Sequence, residues 1–168
     1  MMIQFSERAG AALIRSYQTA KSYQVDYIGT EHLLLGIVKE EEGAAFEALT
    51  GFGLDSNKLV TAVSQISRKE PVEVEPDDSL SVEKIVGMFT PRTQHVVQLA
   101  VQESRKLTQT VLEPEHLLLG ILREGECVAS RILVGTGVDV RRLFAMVVEA
   151  LQATGRQEET GDESSEEE

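Results

Sequence analysis

The residues of this 168-residue chain best suited to metal or covalent chemistry are three histidines, His32, His95 and His116, and one thiol, Cys127. Their placement argues against both chemistries. His32 and His116 occupy the same position in two copies of one heptapeptide, Glu-His-Leu-Leu-Leu-Gly-Ile, at 31–37 and 115–121. A bound metal needs third and fourth donors, and no Cys or His stands at ligand spacing from either histidine. Repetition of a fold explains the pair, so both are expected to be structural histidines at helix starts. Cys127 aligns with Gly43 when the copies are set in register, so only one copy has a thiol. It is expected to be a small buried side chain rather than a nucleophile. The chain has no Gly-x-x-x-x-Gly-Lys-Ser/Thr loop, no Gly-x-Ser-x-Gly elbow and no His-Glu-x-x-His pair. The expectation is a protein that is not an enzyme and carries no cofactor or metal.

The segment Gly29-Thr30-Glu31-His32 offers binding chemistry instead. A helix start presents free backbone N–H groups and the positive end of the helix dipole, which favour an anion. A glutamate beside it presents a carboxylate to a guanidinium. Together they suit a ligand carrying both phosphate and guanidinium. The plainer alternative is that Thr30 caps the helix and Glu31 complements its dipole. Glu40, Glu41 and Glu42, echoed by Glu124 and Glu126, read as a solvated acidic face.

Positioning these residues requires helices, and the sequence supplies them twice. At a constant offset of 84, Phe5, Arg8 and Gln18 fall on Phe89, Arg92 and Gln102. Leu49, Gly51, Gly53, Asp55, Leu59 and Val63 fall on Leu133, Gly135, Gly137, Asp139, Leu143 and Val147. Such a register marks an internal repeat. Within the first copy, Ala9, Ala12, Leu13, Tyr17 and Ala20 recur at helical spacing. Leu33, Leu34, Ile37 and Val38 form the buried face of a second helix. Ala45, Phe46 and Leu49 mark a third, ended by Gly51 and Gly53. Asp55 or Ser56 caps a fourth, carrying Leu59, Ala62, Val63 and Ile66. The predicted fold is all-α: eight helices as two four-helix repeats related by a pseudo-two-fold axis, with equivalent surface sites occurring twice.

Repeat 1 spans 5–66 and repeat 2 spans 89–151, joined by an acidic linker at 67–88 with a helical turn near Val82–Val86. Together they make a double domain over 1–153, followed by an acidic tail at 154–168 expected to be disordered. Hydrophobic residues make up 42% of the chain but aromatics only 5%, with no Trp, so the core must be aliphatic. Net charge is -12, of which seven acids lie in 157–168. That balance argues against nucleic acid, which calls for clustered Lys and Arg. It favours a monomer in isolation. No apolar run approaches the roughly 20 residues of a membrane span. A single cysteine and the lack of a leader-like start make the expected location cytoplasmic.

Phe5-Ser6-Glu7-Arg8-Ala9, the stretch Ile28–Ile37, Gly43 and Gly51-Phe52-Gly53-Leu54 resemble the repeat of the Clp N-terminal domain. Phe89-Thr90-Pro91-Arg92 and the stretch Pro114–Glu126 form a similar second copy. The resemblance covers about 5–151 and is closest in wording to the ClpC branch. It implies eight helices in two pseudo-symmetric repeats. It also implies a non-catalytic module that recruits adaptors or substrates to a Clp ATPase unfoldase feeding ClpP. In the ClpC branch it implies binding of arginine-phosphorylated proteins, with the Glu of each Gly-Thr-Glu-His segment on the guanidinium and the helix start on the phosphate. That marks Thr30 and Glu31. At the second copy Glu113-Pro114 replaces Gly-Thr. Proline has no N–H to donate, and Glu113 puts negative charge near a phosphate, so Glu115 marks a weaker second site. Alternative readings are a free-standing accessory or competitor protein of a Clp complex, and a regulator that binds a small anionic ligand. The acidic tail suits either a free-standing chain or the start of a tether to an ATPase.

Overall fold

The computed structural model describes residues 3–77 and 79–163, with backbone alone for 156–163. Repeat 1 holds α1 (Glu7–Ser22), α2 (Thr30–Val38), α3 (Ala44–Gly51) and α4 (Ser56–Ser67). The linker holds α5 (Val82–Val86). Repeat 2 holds α6 (Pro91–Lys106), α7 (Pro114–Glu124), α8 (Val128–Gly135) and α9 (Val140–Glu163). Local chemistry sets the starts. Ser6 accepts from the Ala9 N–H, Asp55 from Lys58, Ser81 from Lys84 and Thr90 from Thr93. Each side-chain oxygen satisfies a donor that the helix leaves unpaired. After α3 and α8 the chain turns through Gly53 (φ 83°) and Gly137 (φ 85°), a conformation that costs glycine little.

The two repeats exchange equivalent contacts, as a two-fold axis requires. Helix α2 packs on α8 and α7 packs on α3; α2 meets α6 and α7 meets α1; α4 meets α8 and α9 meets α3. Two short parallel bridges obey the same exchange. The Ser6 N–H donates to the Leu112 carbonyl at 2.9 Å, and the Leu112 N–H to the Gln4 carbonyl at 2.8 Å. The Thr90 N–H donates to the Ile28 carbonyl at 3.2 Å, and the Ile28 N–H to the Met88 carbonyl at 2.8 Å. Each repeat therefore begins by pairing with the loop before the second helix of the other.

The core is aliphatic, with Leu13, Leu33, Leu34, Leu35, Leu117, Leu118 and Leu119 fully buried across both repeats. Within each repeat the first two helices cross at a glycine. A Cβ on Gly36 would lie 2.4 Å from the Ala12 carbonyl oxygen, and one on Gly120 would lie 2.4 Å from that of Val96. The glycine in each Leu-Leu-Leu-Gly stretch thus lets two backbones touch.

The helical turn expected near Val82–Val86 is present as α5, and two details go beyond the expectations. The linker is not merely a connector: α5 packs against α1, Ile85 is fully buried, and the Val72 N–H donates to the Ser22 carbonyl at 2.9 Å. A nine-helix chain results, eight helices in the repeats and one in the linker, counted among the described residues. The predicted tail begins at 154, yet the helical backbone of α9 runs on to Glu163. Once Val140–Leu151 is helical, propagation adds one bond per residue, with Gln, Arg and Glu favouring it and Gly155 and Gly161 opposing it. Residues 164–168 lie outside the described residues.

Candidate functional site

Both helix starts singled out by the repeat are built the same way. At α2 the N-cap is Gly29, whose N–H donates to Nδ1 of His32 at 2.9 Å. At α7 the N-cap is Glu113, whose N–H donates to Nδ1 of His116 at 2.9 Å. Each imidazole accepts, so each is neutral with its proton on Nε2. Burial pushes both pKa values down to about 4, which agrees with the accepting role. The histidines are thus capping groups. Among the described residues, no three His, Cys, Asp or Glu side chains gather where a metal could be held.

The carboxylates beside them differ. Glu115 is buried and fully engaged. Arg8 of α1 grips it through two nitrogens, Nη1 to Oε1 at 3.1 Å and Nη2 to Oε2 at 3.3 Å. Its Oε2 also accepts from the Ala45 N–H at 3.2 Å, at the start of α3 in the other repeat. Glu113 joins the cluster, 3.5 Å from Arg8 Nη1 and accepting from the Ser6 hydroxyl at 2.8 Å. This cluster borders a groove of about 840 Å³ that Gln109, Val111, His116, Leu151 and Gly155 also line.

Among the described residues, Glu31 stands at the equivalent position with no charged cation in ion-pair range. Arg92, the counterpart of Arg8, turns instead to Glu124 at 2.5 Å. The nearest basic group to Glu31 is His32 Nε2 at 3.7 Å, neutral and beyond hydrogen-bond range. The Glu31 side chain is only 18% exposed, and burial pushes its carboxyl pKa up. It folds over Gly29, where a Cβ would lie 2.6 Å from its Oε1, so residue 29 must lack a side chain for this pose. The carboxylate borders a cavity of about 220 Å³ that Tyr23, Tyr27, His32, Ile66, Lys69 and Val128 also line. Tyr27 and Ile66 are exposed at its rim. The chemistry on offer is a partly desolvated carboxylate, an aromatic face suited to a planar cation and an ammonium.

The structure separates the two residues predicted at the first site. Thr30 does not cap α2; it is the first helical residue, and Gly29 is the cap. Its buried hydroxyl accepts from the Ala129 N–H at 3.2 Å, at the start of α8 in the other repeat. Thr30 thus serves the repeat interface, and Glu31 alone faces the cavity. Thr30 and Glu115 do matching work, since Ala129 and Ala45 are repeat equivalents. The acidic face is corrected at two positions, while Glu41, Glu42 and Glu126 are exposed as expected. Glu124 accepts from the Glu126 N–H at 3.0 Å besides pairing with Arg92, and Glu40 pairs with Arg15 at 2.9 Å. Both side chains are largely buried, because the helix end turns them back onto the first helix of the same repeat. Cys127 is buried as expected, with Sγ 3.2 Å from the Ser130 hydroxyl. Tyr27 and Lys69 went unnoticed in the sequence, and Arg8 stood out only as a repeated position, because each meets its site through tertiary packing.

A two-repeat helical domain with paired, carboxylate-bearing helix starts is the class that this fold and site define. The family model for the Clp repeat (R) N-terminal domain matches twice, at residues 4–85 and 88–166, and the chain belongs to that family. It is 37% identical to the chaperone protein ClpB of Oceanobacillus iheyensis, over 98% of this chain and 20% of that protein. It is 38% identical to the negative regulator of genetic competence ClpC/MecB of Bacillus subtilis, over 90% of this chain and 17% of that protein. The crystal structure of the N-terminal domain of the caseinolytic protease associated chaperone ClpD from Arabidopsis thaliana aligns with a TM-score of 0.71 at 30% identity. That alignment covers 89% of this chain and 95% of that domain. The chain thus spans about a fifth of the length of these curated relatives and corresponds to their N-terminal repeat domain. Among the described residues, no helix is long and apolar enough to cross a membrane.

Proposed function

We propose that this chain is a recruitment module of the Clp chaperone–protease system, which holds adaptors or substrate proteins for a Clp unfoldase and reads arginine-phosphorylated segments at the Glu31 cavity. The carrying observation is a carboxylate that is more than four-fifths buried, borders a cavity and, among the described residues, has no charged cation within ion-pair distance. Its own backbone N–H offers the carboxylate one hydrogen bond, but holding a largely buried charge without a counter-ion is costly, and an incoming guanidinium offsets that cost through charge-assisted hydrogen bonds. Tyr27 suits the flat face of the guanidinium. Lys69 and the positive end of the α2 dipole suit the phosphate. Exposed Ile66 and Tyr27 suit the apolar flanks of a partner chain.

The test is calorimetric titration of free phosphoarginine into the wild type and Glu31→Ala. Saturable binding that is lost in the variant is the expected result. A wild type that gives no heat of binding, or a variant that binds unchanged, contradicts the reading. In the second case the helix start acts only as a cap.

A further inference from the structure

The pseudo-two-fold axis relates Glu31 to Glu115, yet only one of them is free, and the group on the other is itself a guanidinium. Arg8 meets both oxygens of Glu115, at 3.1 and 3.3 Å, in the forked geometry an arginine ligand would adopt. We infer that Arg8 is a built-in occupant of the second site, which makes the domain monovalent and holds in reserve a latent pocket for unphosphorylated arginine. This inference rests on the reading of the Glu31 cavity as a guanidinium site.

Three observations support it. The Arg8 side chain borders the same groove of about 840 Å³ as Glu115, so the carboxylate opens to solvent when the guanidinium leaves. The break in symmetry comes from the arginines themselves, because Arg92 is committed to Glu124 and leaves Glu31 open. The chemistry around Glu115 also differs from that around Glu31. Pro114 offers no N–H to a phosphate. The Glu113 carboxylate lies 3.5 Å from Arg8 Nη1, and the nearby Lys106 is already paired with Glu103 at 2.9 Å. Two carboxylates with no free cation among the described residues lining the groove suit a bare guanidinium and repel a phosphorylated one.

The experiment titrates a capped arginine, N-acetyl-arginine amide, and separately phosphoarginine into the wild type, Arg8→Gln and Arg8→Gln/Glu115→Gln. Arg8→Gln is expected to bind one more equivalent of capped arginine than the wild type, with Kd in the millimolar range. The added Glu115→Gln is expected to abolish that extra site. Phosphoarginine stoichiometry is expected to stay the same in all three proteins. A folded Arg8→Gln protein with no added arginine site, or one whose added site survives Glu115→Gln, overturns the inference. Loss of phosphoarginine binding to the wild type counts only against the Glu31 reading. Should Arg8→Gln fail to fold, the wild type still provides a test. The Ala45 amide, bonded to Glu115, must keep its NMR shift under saturating capped arginine, and movement there overturns the inference.

Discussion

The two histidines give the residue scale a measurable signature. His32 and His116 have folded pKa values of about 4, against about 6.5 for an unperturbed imidazole. Between those values the unfolded chain binds more protons than the folded one. Their contribution to stability is therefore complete above about pH 6.5 and is lost as pH falls toward 4, reaching about 3 kcal/mol for each residue. The raised Glu31 carboxyl works in the opposite direction, since its protonation favours the folded state in acid. Urea unfolding from pH 7 to pH 4.5 is expected to show the steep loss, and His32→Gln/His116→Gln to flatten it. A wild-type profile flat between those limits contradicts the capping role. The hydroxyl of Thr30 gives a second prediction. Thr30→Val keeps the shape but orphans the Ala129 N–H, and is expected to cost about 1 kcal/mol, with the phosphoarginine affinity nearly unchanged. A large loss of affinity without loss of stability would return Thr30 to the binding site.

At the scale of elements, helix existence was largely legible and the caps only in part. Asp55, one of the two caps read for the fourth helix, announces its start by local chemistry, and the repeat lets each copy vouch for the other; the caps at Ser6 and Thr90 emerged only in the structure. What remained hidden was the tertiary handover between copies. Arg8 and Glu115 are 107 positions apart, and nothing local in either tells which carboxylate an arginine will find. Thr30 misled for a related reason. A threonine just before a helical stretch is normally a cap, but here Gly29 lies one residue earlier with its N–H already held by His32. The crossing glycines carry the prediction at this scale. Gly36→Ala and Gly120→Ala force a Cβ against a backbone carbonyl and are each expected to cost about 2 kcal/mol or more by thermal or urea unfolding. Gly51→Ala and Gly135→Ala have open space around them. They are expected to be neutral or stabilising by up to about 1 kcal/mol through helix propensity. Equal costs at all four glycines would show that close helix approach is not what selects Gly36 and Gly120.

At the scale of the molecule, the repeats hold each other's helix starts. Thr30 reaches α8, Glu115 reaches α3, and the two bridges cross between halves. A unit of about 60 residues alone is marginal, so the two are expected to unfold as one cooperative body. Calorimetric and van't Hoff enthalpies should agree, and residues 3–66 expressed alone should lack a cooperative transition. Independent melting of the halves contradicts this mutual capping. The same architecture leaves Glu115 gripped by Arg8 and, among the described residues, Glu31 with no charged cation in ion-pair range, so the asymmetry resides in single side chains set on a nearly symmetric frame.

The central claim, that the Glu31 cavity is the binding site, is tested most directly by a backbone-amide NMR titration with phosphoarginine. The predicted result is saturable shifts confined to Tyr27, Glu31, His32 and the segment around Lys69, with the equivalent positions Val111, Glu115 and His116 unmoved. Shifts centred on Glu115, or none at Glu31 at saturating ligand, would contradict it.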